Sequence, residues 1–106
     1  MIEEKIGRFK ELFFDAYNLI FKKQENVPIV DIADIRQAVS QRFYEVQKLV
    51  LTEEQFDVLL RKIPFATDEY IISLGRAMGA EEKVFEYEKN YYRTLSIRFL
   101  NKEEKS

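Results

Sequence analysis

The chain has 106 residues, 46% hydrophobic, 34% charged and 14% aromatic, a composition that suits one folded domain and excludes a disordered tail. With no Cys and no His it offers no disulfide framework, thiol nucleophile, imidazole base or zinc site of the usual ligand types. Its 17 Lys plus Arg against 19 Asp plus Glu leave a net charge of −2, without the basic excess of a typical nucleic-acid-binding domain. No stretch approaches the roughly 20 apolar residues that span a bilayer, and no apolar run with a small-residue cleavage site opens the chain, so the expected location is the cytoplasm.

From Ile2 to about Gln24, Ile2, Ile6, Phe9, Phe13, Tyr17 and Ile20 recur at three- and four-residue steps, which predicts a long amphipathic helix. Glu3 and Glu4 at its start and Lys22 and Lys23 at its end follow the helix dipole. With Leu12, Phe14, Ala16, Leu19 and Phe21 added, the apolar arc spans roughly 220°, about twice what one core contact needs. Either a core wraps both sides of this helix or Phe9, Phe13, Phe14, Tyr17 and Phe21 form a face for a second copy or another protein.

Pro28 breaks the helix and favours a short extended segment. Asp31 is placed to cap a second helix with a stripe of Ile32, Ile35, Val39 and Phe43, expected to end near Phe43 or Tyr44. Glu45 to Leu51 then reads as a linker whose Val46, Leu49, Val50 and Leu51 need burial. Thr52-Glu53-Glu54-Gln55 is a capping box that opens a third helix with Phe56, Leu59, Leu60 and Ile63 inward, stopped by Pro64. Tyr70 to Leu74 predicts a strand broken at Gly75 and turned at Gly79-Ala80, and Glu81 to Asn90 extends the hairpin arms. The last strand alternates Tyr91, Leu95, Ile97 and Phe99 against Tyr92, Thr94, Ser96 and Arg98. Residues 1–100 form a single domain in this reading, and 101–106 a solvated tail.

Helix, short strand, helix, helix and hairpin is an order that resembles the winged helix-turn-helix family. The resemblance rests on Ile29-Val30-Asp31-Ile32-Ala33-Asp34-Ile35-Arg36, on Leu51-Thr52-Glu53-Glu54-Gln55-Phe56-Asp57, and on the strands Tyr70 to Leu74 and Tyr91 to Arg98. It implies an α+β fold with a long N-terminal helix, two further helices and a C-terminal β-hairpin wing. In DNA-binding members the third helix enters the major groove and the wing touches the backbone. The resemblance therefore implies a DNA-associated regulator acting as a dimer, with Arg36, Arg42, Arg61 and Lys62 and the wing residues Lys83 and Lys89 meeting phosphates of double-stranded DNA.

The residues themselves qualify that docking mode. Glu53, Glu54 and Asp57 would face phosphate at the groove end of the third helix, and Gln55 is claimed by the capping box. Arg76, Lys83, Lys89 and Arg93 in the wing are balanced by Glu81, Glu82, Glu86 and Glu88. Local basic stripes remain open at Arg36, Arg42 and Lys48, or at Arg93, Arg98 and Lys102, with ordinary surface charge as the plain alternative. Of Tyr91 and Tyr92 only one can stack a base, because neighbours on a strand face opposite ways. The alternative function is a protein-interaction module that keeps this fold without groove insertion.

An enzyme is not expected, since the acidic clusters sit at caps and turns, where a general acid or base cannot be buried and tuned. Asp68 with Glu81-Glu82-Lys83 is similar to the acid plus E-x-K set of metal-dependent nucleases, but the triplet follows a turn and lacks a rigid strand beneath it. Asp31 and Asp34 could ligate a hard cation, though capping explains them. Gly7, Gly75 and Gly79 make no phosphate loop. No catalytic residue, cofactor, metal or small-molecule substrate is expected.

Overall fold

The computed structural model describes residues 2–77 and 84–100, with side chains from residue 7 onward. The expected Gly79-Ala80 turn, the Glu81-Glu82-Lys83 triplet and the 101–106 tail lie outside the described residues. The elements are α1 (Ile2–Lys23), β1 (Val30–Asp31), α2 (Ile32–Gln47), α3 (Glu53–Arg61), β2 (Tyr70–Arg76), β3 (Phe85–Tyr87) and β4 (Asn90–Phe99). Together they form an α+β arrangement of three helices and one antiparallel sheet of four strands among the described residues. No helix among them is long and apolar enough to cross a membrane.

The wide apolar arc of α1 is explained by burial on two sides. Phe9, Leu12, Phe13, Ala16 and Tyr17 enter the core, where the Phe9 ring lies 5.9 Å from Phe13 and 5.3 Å from Phe56 of α3. Phe14 turns the other way, onto Tyr70 at 4.9 Å and Phe99 at 5.6 Å, and so covers the open end of the sheet. Glu25 and Asn26 adopt left-handed backbone and end the helical path, while Tyr17 Oη donates to the Pro28 carbonyl at 2.6 Å. Gln24 Nε2 donates to the carbonyls of Val27 and Ile29, each at 2.8 Å, so the segment entering β1 is pinned from α1.

Asp31 occupies the N-cap position of α2 in extended geometry, but its side chain makes no capping bond. It lies instead 4.0 Å from the Arg93 guanidinium on β4. The helix continues past Phe43 and Tyr44 to Gln47, where Lys48 in the left-handed region donates its N–H to the Tyr44 carbonyl at 2.8 Å. The capping box of α3 forms in full: Gln55 N–H donates to Thr52 Oγ1 at 3.1 Å, and Thr52 N–H to Gln55 Oε1 at 3.0 Å. Leu51 before the cap and Phe56 in the first turn are both buried, the positions of a hydrophobic staple. The helix ends at Arg61, ahead of Pro64, with Lys62 as its C-cap.

The strand order is β1-β4-β2, with β3 also on β4. Leu95 pairs with both Leu74 and Val30, and Tyr92 with both Arg76 and Phe85, so β1 and β3 share the edge of β4 opposite β2. Gly75 does not break β2; it pairs with Thr94, and a Cβ there would collide with Thr94 Oγ1. One step later Arg76 pairs with Tyr92, which leaves Arg93 as an extra residue on β4. This bulge inverts the alternation beyond it. Tyr92, expected on the face opposite Leu95, is packed against the core, and Tyr91 is 57% exposed.

Candidate interaction surface

Two arginines that the sequence assigned to phosphate contact are engaged with other parts of the chain, Arg36 in the interior and Arg61 at the surface. Arg36 is only 4% exposed: its Nη2 donates to Asp57 Oδ1 at 2.9 Å and to the Val84 carbonyl at 3.4 Å, and its guanidinium lies 5.5 Å from the Phe56 ring centroid. Its position on the buried stripe of α2, one residue after Ile35, draws it in; a surface role for Arg36 is thereby corrected. Arg61 Nε donates to the Glu86 carbonyl at 2.8 Å, and its guanidinium sits 5.3 Å from the Phe85 ring centroid. Arg61 is exposed yet oriented onto β3 instead of outward. Both helices therefore fasten the strand segment that precedes β4.

Asp57, 17% exposed, is the titratable group that this packing perturbs. Burial, the largest influence, raises its carboxyl above the ordinary value of 3.8 against the lowering hydrogen bond and charge of Arg36 and the charge of Arg61, with a smaller upward push from Glu53.

Of the remaining candidate cations, Arg42, Lys62 and Lys89 are exposed, on α2, at the end of α3 and in the β3–β4 turn respectively. They lie on three separate elements, and Lys83 lies outside the described residues. Arg42 borders a cleft of about 470 Å³ between α1 and α2 with Asp15, Leu19 and Lys22. The exposed residues of α3 and its C-cap include Glu53, Glu54, Gln55, Val58, Arg61 and Lys62, an acidic start and a basic end of which Arg61 is turned onto β3.

The expected partner face on α1 is also corrected. Phe9, Phe13 and Tyr17 are fully packed in the core, Phe14 is covered by Tyr70 and Phe99, and Phe21 stacks on Tyr17 at 6.0 Å. The reason is the second covering layer described above, which uses all of these aromatic positions within one chain and leaves Leu19 of the arc exposed.

What the sequence reading missed is an apolar corner where α2 meets α3. Val46, Leu49 and Val50, expected to be buried, are 49%, 51% and 73% exposed, and Tyr44, on another face of α2, is 55% exposed; of the linker residues only Leu51 is buried. The signal was present in the Leu49-Val50-Leu51 run, since one staple position next to the Thr52 cap can take only one of three apolar side chains inward. Arg42 and Lys48 flank the corner, with Lys48 Nζ 5.7 Å from the Tyr44 ring centroid. A polar cleft of about 640 Å³ lies between α2 and the start of α3, lined by Asp34, Gln37, Ser40, Gln41 and Glu53 among others, with Ser40 Oγ donating to the Leu51 carbonyl at 2.9 Å.

Among the described residues no group of three or more Asp or Glu is gathered to hold a metal ion, and Asp31 is placed beside Arg93. No family model, curated protein or solved structure matches the chain.

Proposed function

We propose that the chain is a non-enzymatic binding domain of winged-helix-like architecture that docks on a protein partner through the α2–α3 corner. The helix order and the β1-β4-β2 sheet support the architecture. The observation that carries the function is the exposure of Val46, Leu49 and Val50 where α2 runs out toward α3, an apolar concentration of the kind that marks interaction sites. Groove insertion by α3 is disfavoured, because Glu53 and Glu54 lead the helix, Gln55 is held in the cap and Arg61 is turned onto β3.

A DNA-associated regulator acting as a dimer is the second reading, favoured by the exposed Arg42, Lys62 and Lys89. Titration of fluorescent duplex and single-stranded DNA at about 50 and 200 mM salt separates the two. The docking reading expects no salt-dependent binding. Binding that weakens steeply with salt, and falls in the Arg42→Ala, Lys62→Ala and Lys89→Ala variants, would replace it with the DNA reading. Light scattering tests the simplest protein partner, a second copy: a mass above 12.7 kDa that returns to 12.7 kDa in Val50→Glu places the corner in a homodimer.

A further inference from the structure

Strand β3 differs from its neighbours in what holds it. Strand β2 pairs with β4 over seven residues, whereas β3 pairs over three, and β1 reaches β4 at Leu95 and Thr94 without touching β3. The two-residue turn from β3 into β4 puts Glu88 at φ 51° and Lys89 at φ 68°. Both positions favour Gly, Asn or Asp, so the hairpin works against its own turn chemistry. The compensating contacts come from the helices and the loop after α3: Arg36 to the Val84 carbonyl, Arg61 to the Glu86 carbonyl, Phe85 buried beneath the Arg61 guanidinium, and Tyr87 stacked on Phe65 at 4.9 Å.

We infer that β3 is a strap that opens on its own while β1, β2 and β4 stay paired, and that Arg61 is the fastener that keeps it shut. Opening breaks the Phe85–Tyr92, Glu86–Tyr91 and Tyr87–Asn90 pairing, the contacts to α2 and α3, and the stack of Tyr87 on Phe65 at 4.9 Å, and leaves the β2–β4 and β1–β4 pairing intact. It bares the edge of β4 from Asn90 to Tyr92 and the apolar seat of Phe85 and releases the Arg61 guanidinium from Glu86 and Phe85, so the α3 flank has a closed and an open form. The inference is independent of the partner that the α2–α3 corner takes.

Native-state hydrogen exchange tests it, with the amides of Phe85–Tyr87 compared with those of the β2–β4 ladder. In the unaltered chain the β3 amides are expected to open at least about tenfold more often than the ladder amides. Arg61→Met removes the fastener at an exposed helix end and leaves the Arg36–Asp57 pair in place. It should raise β3 opening by about another tenfold, the scale of one charge-assisted hydrogen bond, with the ladder unchanged. Equal opening of the two sets in the unaltered chain overturns the strap, since β3 would then open only with the whole sheet. An Arg61→Met change that shifts both sets together, or neither, overturns the role of Arg61.

Discussion

Arg36 on α2 and Asp57 on α3 meet at 2.9 Å, and this pair joins the two helices at the point where Val84 leads into β3. Two partly desolvated charges contribute little net stability when paired, but a great deal is lost when one remains alone. Arg36→Met is therefore expected to destabilise the fold by about 3 kcal/mol, because it leaves the Asp57 carboxylate buried without its cation. Arg36→Met combined with Asp57→Leu should recover most of that loss. Urea unfolding of the two single variants and the double variant measures the coupling.

The same carboxyl sets a pH dependence. Its folded-state pKa is raised above 3.8 by burial, so the folded chain takes up this proton more readily than the unfolded chain. The contribution of Asp57 to stability is therefore greatest below 3.8 and falls as pH rises through the raised folded value. Asp57→Asn removes the titration. Unfolding free energies of both proteins from pH 3 to 7 should show the unaltered chain losing ground to Asp57→Asn as pH rises; a gap constant with pH contradicts this sign.

In the β3–β4 turn, Glu88 and Lys89 both carry positive φ. Replacing them with Asn and Gly fits the turn and should raise stability by roughly 1 kcal/mol, read as an increase in thermal midpoint.

Capping of α3 gives a local test of a feature visible in the sequence. Thr52→Ala removes the acceptor for the Gln55 N–H and should cost about 1 kcal/mol. Thr52→Ser, which keeps the hydroxyl acceptor, should retain most of that stability.

The three apolar residues before that cap should behave differently. Leu49→Ala and Val50→Ala are expected to change stability by less than about 0.5 kcal/mol, since both side chains stand in solvent, while Leu51→Ala should cost about 2–4 kcal/mol. Chemical denaturation of the three variants measures the contrast, and equal costs would remove the exposed corner.

By itself the sequence determined what local physics controls: the periodic stripe of α1, the break at Pro28, the Thr52–Gln55 cap and the β character of the segments after Thr67. It also determined that His and Cys chemistry is absent. Tertiary structure decided the rest. The alternation of β4 predicted Tyr91 inward until the bulge at Arg93, a property of pairing with β2, exchanged Tyr91 and Tyr92. A composition-level reading counts Arg36 and Arg61 as surface charge, yet their positions facing Asp57 and the Glu86 carbonyl arise only when α2, α3 and β3 pack together. The apolar arc of α1 looked like a partner face because periodicity reports how wide a face is and not how many layers cover it; one chain supplied both layers for the described side chains of the arc other than Leu19, while Leu49 and Val50, expected inside, stayed in solvent.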